Sequence, residues 1–206
     1  MQKAMAEFIG ILLGDGSIGI YKSKIKNKIK TLYRIKITLN SKDDLDYSEY
    51  VRNLIKKLFK LETIVKKRKD ENALDIFIFK KEIIILLLNL GMELAPKWNR
   101  AKVPRYFLAK NLISDVLRGY VDTDGCIKLA QNNGTLYPRI EMKISPAPMQ
   151  KQLIDGLFEL GFEPKIYQIG KGKVSVSLHG KRNLKMWGEK IGFSNRKNIL
   201  RYNKFN

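Results

Sequence analysis

Two short stretches of this chain carry nearly the same message. FIGILLGDG (8–16) and LRGYVDTDG (117–125) each run a helix-like, largely apolar segment into a carboxylate followed by glycine. A shift of 109 residues (124 − 15) lays Asp15 on Asp124, and with it Gly10 on Gly119, Gly16 on Gly125 and Ile18 on Ile127. Four positions agreeing at one shift mean that the fold is written twice.

The flanking patterns repeat as well. In the first half, a helix over Ala4–Leu13 is stopped by Gly14 and Gly16. A strand over 17–25, a basic turn at 26–30 and a second strand over 32–40 follow. The second strand alternates strictly, with Tyr33, Ile35, Ile37 and Leu39 on one face and Arg34, Lys36, Thr38 and Asn40 on the other. Ser41 to Asp44 supply helix-start chemistry for a helix carrying Tyr47, Val51, Leu54, Ile55 and Leu58. Strands near 62–68 and 74–79 and a helix over 81–90 complete the unit. The second half predicts the same order: helix 112–122, a strand from Cys126, a turn at 131–134 and a strand over 137–145. Helix 148–160, strands near 162–168 and 173–178, and a helix ending at Ile191-Gly192 complete it. The expected fold class is therefore α+β: two pseudo-symmetric αββαββα subdomains, each an antiparallel sheet with helices on one face. Residues 1–95 and 112–206 are the expected subdomains, joined by a Pro-containing basic linker at 96–111.

Charge narrows the partner. The chain of 206 residues has 40 Lys and Arg against 20 Asp and Glu, a net charge of +20. A field of that size favours a polyanion, either nucleic acid or an anionic membrane surface. Thermophile surfaces also carry many lysines but usually balance them with glutamate, and this one does not. One cysteine, Cys126, and one histidine, His179, exclude a disulfide framework and a Cys/His zinc set, and covalent catalysis by a Ser-His-Asp or Cys-His group is not expected. The longest apolar run, within 82–91, is far short of the ~20 residues that span a bilayer. No membrane role, no cleavable leader and a reducing, cytoplasmic setting are expected (nucleoid-associated in a prokaryote, organellar if an organelle intron encodes the chain).

The twin motifs pose the chemical question. Glycine inside a helix costs about 1 kcal/mol against alanine, so Gly10 and Gly119 need a reason, and close backbone approach supplies one. Ala6, Gly10 and Leu13 share a helix face, as do Asp115, Gly119 and Asp122. Packing these faces together brings Asp15 and Asp124 out side by side at one end of the pair. Carboxylates that close repel each other, and the negative helix ends add to the repulsion. An oxygen-loving divalent ion relieves it, and Mg²⁺ suits an open carboxylate site. Asp-Gly is also a common turn pair, but two copies at matching places in matching units point to a shared site.

At these residues the chain resembles the LAGLIDADG homing endonucleases of the monomeric, two-motif type, over essentially its whole length. The resemblance implies that the motif helices form the interface between subdomains. It implies that Asp15 and Asp124 are catalytic metal-binding carboxylates, with the carbonyls of Gly14 and Thr123 as further ligands. Mg²⁺ is the implied cofactor, with Mn²⁺ as substitute and Ca²⁺ as an ion that binds without supporting cleavage. Lys97 and Lys197, each following the last helix of its half, match places where a basic residue polarises the scissile phosphate or positions water. Asn40 and Ser145 match polar positions lining the centre. Leu13 departs from the family, which often has a second acid there; Asp122 keeps it in the second copy, in a position that is usually structural.

The polar strand faces suit a DNA groove. Arg34, Lys36, Thr38 and Asn40 correspond to Arg139, Glu141, Lys143 and Ser145 at a constant shift of 105 (139 − 34). Such side chains read base edges in a major groove that admits a two-stranded ribbon. Lys22, Lys24, Lys66 and Arg68 in the first half, and Lys128, Gln131, Ser175 and Ser177 in the second, extend the expected DNA contacts. Residue types differ between the halves, so the expected target is an asymmetric stretch of double-stranded DNA. The resemblance implies a long site and a double-strand cut with 3′ overhangs by a monomer. The alternatives are an intron RNA maturase on the same fold, and a DNA-binding protein that has lost cleavage.

Overall fold

In the computed structural model of the chain, which describes residues 1–25, 28–132 and 134–205, the unit does occur twice. The first copy runs α1 (Gln2–Leu13), β1 (Gly16–Ile25), β2 (Lys28–Asn40), α2 (Leu45–Phe59), β3 (Ile64–Lys67), β4 (Ala73–Ile78) and α3 (Lys81–Asn89). A short helix, α4 (Arg105–Ala109), stands between the copies. The second copy runs α5 (Ile113–Asp124), β5 (Gly125–Asn132), β6 (Thr135–Ile144), α6 (Pro148–Glu159), β7 (Lys165–Gln168), β8 (Val174–His179) and α7 (Gly180–Lys190), and α8 (Arg196–Tyr202) closes the chain. Lys26 and Asn27 of the turn expected at 26–30, and Asn133 of that at 131–134, lie outside the described residues. Lys28–Lys30, expected in the first turn, belong to β2 because the hairpin pairing extends that far.

Each half forms one four-stranded antiparallel sheet, in the orders β1-β2-β4-β3 and β5-β6-β8-β7. Alternation works as the sequence dictates: Ile35, Ile37 and Leu39 of β2, and Ile140, Met142 and Ile144 of β6, are buried under the helices. Each sheet turns its other face outward. α1 and α5 make the principal helix–helix contact, with α1 buried from Ala6 to Leu13 and α5 buried over most of its length.

Two helices go beyond what periodicity predicts. α4 lies inside the expected linker, and its Phe107 is buried. α8 follows the predicted end of the last helix and starts on a true side-chain cap: Asn195 Oδ1 accepts from Lys197 N at 3.0 Å. Both helices have two turns or fewer, too short for a periodic signal to stand out.

Candidate active site

The site begins with two glycines. A Cβ on Gly10 would lie 2.1 Å from the Val116 carbonyl oxygen, and one on Gly119 would lie 2.1 Å from that of Glu7. The two helix backbones therefore touch, and they do so reciprocally, because Glu7 and Val116 are related by the same shift of 109 as the motifs. The stripe in contact is Glu7, Gly10, Ile11 and Gly14 against Val116, Gly119, Tyr120 and Thr123. The expected stripes through Ala6 and Leu13, and through Asp115 and Asp122, lie to the side of it. Leu13, beside that stripe, is buried in the hydrophobic core.

The glycine contact delivers the carboxylates. Beyond Gly14, α1 gives way to Asp15; α5 runs on through Thr123 and Asp124 before Gly125 turns extended. A Cβ on Gly14 would meet Thr123 Oγ1 and lie 3.5 Å from Asp124 Oδ2, so the Asp124 carboxylate stands against the residue that precedes Asp15. Thr123 turns its hydroxyl back into its own helix, donating to the carbonyls of Gly119 and Tyr120 at 3.0 Å each. The Asp15 carbonyl accepts from Thr38 N at 3.2 Å, fixing that loop to β2. Burial pushes the Asp15 carboxyl up to about 7, the charge of Asp124 adds to the rise, and the ammonium groups of Lys97 and Lys197 offset part of it. Asp124 is also raised, by loss of hydration on its protein side, while Lys97 and Lys173 pull it back. The two acids thus share one electrostatic centre, and a cation there competes with a proton.

The two lysines occupy different settings. Lys97 Nζ donates to the carbonyls of Leu12, Leu13 and Gly14 at 2.9, 2.8 and 2.7 Å, capping the negative end of α1. Burial lowers its pKa to about 8, although Asp124 and Asp15 act to raise it. Lys197 Nζ instead reaches across to Asp44 at 2.7 Å. Asn40 and Ser145 are less directly placed. Asn40 Oδ1 accepts from the backbone N–H groups of Lys42 and Asp43, which makes it a turn former ahead of α2. Ser145 lies half-buried just past β6.

Asp122 is structural, as its counterparts are expected to be. Its carboxylate accepts from Asn195 N at 3.0 Å, Asn198 Nδ2 at 2.9 Å and Ser194 N, so the motif helix holds the start of α8. From there the polar network enters the first half. Ser194 Oγ donates to Glu7 Oε1, which Tyr50 also meets at 2.8 Å, and Arg118 bridges Glu7 and Asp115.

The outward sheet faces carry most, though not all, of the expected DNA contacts. Register puts Ser17, Gly19 and Tyr21 opposite Lys36, Arg34 and Leu32, hence on the polar face. Lys22 and Lys24 have the opposite parity, that of Ile18 and Ile20, and so leave the Arg34 face; the hairpin continues the pleat that the core sets. Gln131 likewise shares the parity of Ile127, whereas Lys128 stands opposite Arg139 and Cys126 opposite Glu141. Ser175 and Ser177 are on the polar face but buried, because the central strand β8 lies between Lys143 and Tyr167 and between Glu141 and Lys165. Lys66 stands opposite Asp75 on that face.

Several of these groups are already paired. Asp75 accepts from Thr38 at 2.7 Å and from Arg68 Nε and Nη2 at 3.0 Å each. Glu141 takes Lys128 at 2.6 Å with Arg139 at 3.8 Å, and the Arg34 guanidinium stacks on Tyr21 and donates to its hydroxyl. Lys36 and Lys143 form no ion pair among the described residues. Sequence reasoning missed Lys165, Tyr167 and Asp75 on these faces, though their parity within short strands was a usable signal. It also missed Asp44 and Lys173 at the centre, whose relevance depends on how distant segments return.

The donor set decides what ion would fit. Among the described residues no cluster of three or more His, Cys, Asp or Glu could hold a metal. Two crowded carboxylates and the helix-end carbonyl of Thr123 remain, with the Gly14 carbonyl already accepting from the Lys97 ammonium, an all-oxygen and incomplete set. That suits a hard cation that keeps waters and takes further oxygens from a phosphate, as Mg²⁺ does.

Comparison with known proteins agrees with this fold. Residues 111–192 match the family described as a LAGLIDADG-like domain. The chain is similar to part of a probable translation initiation factor IF-2 of Methanocaldococcus jannaschii, 32% identical over 93% of this chain and 15% of that protein. It is also similar to part of the DNA polymerase of the same organism, 29% identical over 63% of this chain and 8% of that one. The chain thus spans only a small part of the length of these relatives. Among solved structures, the I-LtrWI LAGLIDADG homing endonuclease bound to target DNA superposes with a TM-score of 0.69 at 13% identity, covering 98% of this chain and 88% of that one. I-DmoI in complex with DNA and Mn superposes with a TM-score of 0.63 at 17% identity, covering 94% and 98%.

Proposed function

For a chain that contains a LAGLIDADG-like domain and has the two-domain LAGLIDADG fold throughout, we propose the activity of a site-specific homing endonuclease. It makes a metal-dependent double-strand cut, leaving 3′ overhangs, in a long asymmetric DNA target. The observation that carries this reading is the meeting of Asp15 and Asp124 at the ends of two helices whose backbones touch, between two basic sheet faces. A turn-capping aspartate needs no such neighbour. Residues 1–95 and 112–206 serve as the two subdomains, each sheet binding one half of the target.

In this reading Asp15 and Asp124 hold the divalent ion with the carbonyls of Gly14 and Thr123. When bound, that ion supplies Lewis-acid stabilisation of charge on the phosphate and lowers the pKa of water. The protein's own part is placement. Arg34, Lys36, Arg139 and Lys143 bind along the duplex, while Lys97 brings positive charge to both acids and Lys197 adds to it at Asp15. With both acids in place, the site favours cleavage over binding alone. A unit of this length recurring as a small part of an initiation factor and of a polymerase also fits a mobile module inserted into different hosts. Incubating the protein with a library of randomised duplexes and Mg²⁺, then sequencing the cut ends, tests the proposal. One long asymmetric site with staggered ends is expected; no cleavage with Mg²⁺ or Mn²⁺ would overturn it.

A further inference from the structure

Asp44 stands at the N-cap of α2, where aspartate normally accepts a hydrogen bond from the first turn, yet its side chain makes no such bond. Its Oδ1 instead accepts from Lys197 Nζ at 2.7 Å and Asn195 Nδ2 at 2.9 Å, both from the far end of the chain. Its Oδ2 receives only a long contact from Asn40 N at 3.4 Å. The pair is sheltered, with 12% of the Asp44 side chain and 25% of the Lys197 side chain exposed. Asn195 is itself fixed, donating Nδ2 to the Asp122 carbonyl at 3.1 Å and its backbone N–H to the Asp122 carboxylate. Asp44 therefore forgoes a local bond and joins a rigid frame rooted in the second motif helix.

Among the described residues the other half has nothing equivalent. At the start of α6, the counterpart of α2, the N-cap residue is Ala147. Lys97 is held by three helix-end carbonyls and, among the described residues, pairs with no acid. Lys97 acts on both acids; Asp44 and Lys197 act in addition on Asp15, and Lys173 in addition on Asp124.

Resting on the nuclease reading, we propose that Asp44 is a positioning residue. It holds the Lys197 ammonium on the Asp15 side of the centre, so that cutting of one DNA strand depends on Asp44 and cutting of the other does not.

The test has two readouts. The first is independent of cleavage: amine labelling of the free protein, read by mass spectrometry, should show Lys197 several-fold more reactive in Asp44→Asn while Lys97 is unchanged. Unchanged Lys197 reactivity would overturn the proposal whether or not the protein is a nuclease. The second uses supercoiled plasmid carrying the target, with each strand's cut followed separately. Wild-type protein should linearise it, and its failure to do so counts against the nuclease reading alone. Asp44→Asn should slow one strand roughly 10- to 100-fold, as misplacement of a reacting group does, and nicks should accumulate in the other. Lys197→Met should show the same strand bias, and the double variant should be no slower than Lys197→Met alone. Equal slowing of both strands, or a Lys197→Met protein with unchanged rates, would contradict it. The Lys197→Met arm keeps the test decisive if Asp44→Asn fails to fold.

Discussion

At the scale of single residues, Asp15 couples stability to function. Folded, it holds its proton up to about pH 7, against a value of 3.8 for an unperturbed aspartate. Between those limits the folded chain binds more protons than the unfolded one. The stability contributed by neutral Asp15 is therefore complete below about pH 4 and is lost as pH rises towards 7. Asn mimics the neutral acid. In metal-free buffer Asp15→Asn should melt a few degrees above wild type at pH 7.5, the shift that ~1 kcal/mol gives a chain of this size, and the gain should vanish at pH 4. Thermal melts at the two pH values decide it; an equal difference at both would place the rise on another group. Asp15 and Asp124 were readable from sequence because repetition singled them out. Asp44 and Lys173 were not: one looks like an ordinary helix cap, the other like any lysine in a turn, and only the returning chain brings them to the centre.

At the scale of elements, the helix pair is the feature most open to a direct challenge. Alanine at position 119 gains up to ~1 kcal/mol in helix propensity. Its Cβ would nevertheless sit 2.1 Å from a backbone oxygen that cannot rotate away. Gly119→Ala should therefore lower stability by roughly 1–3 kcal/mol or more in urea unfolding, with Gly10→Ala doing the same. Neutral or stabilising outcomes would mean that the helices do not touch there. The order of helices and strands was legible because a period of two and a helical stripe survive in single segments. Face was harder: Lys22, Lys24 and Gln131 sit in strands that periodicity locates, but one residue of parity decides whether a side chain meets DNA. Ser175 and Ser177 fail for a different reason, since a central strand lies under its neighbours' side chains. α8 was invisible, yet Asp122, Asn195 and Asn198 make it a clasp between the halves.

At the scale of the whole molecule, charge and duplication act together. If the net charge of +20 serves phosphate contacts, DNA affinity should fall steeply with salt, with a log–log slope of about 0.9 per phosphate neutralised. A flat titration would point to another kind of partner. Because the sheets differ in residue type, Glu141→Gln should change base preference within one half of the target only, by about 1–3 kcal/mol. A cleavage profile over all single-base variants would show this, and changes spread over both halves would contradict it. The central claim is narrower: two identical carboxylates from duplicated helices form one catalytic centre. The measurement that meets it most directly sets plasmid cleavage beside DNA binding for Asp15→Asn and Asp124→Asn with Mg²⁺. Each substitution alone should abolish the double-strand cut while specific binding stays within a few-fold of wild type. Full double-strand cleavage by either variant would show that the paired acids are not the catalytic centre.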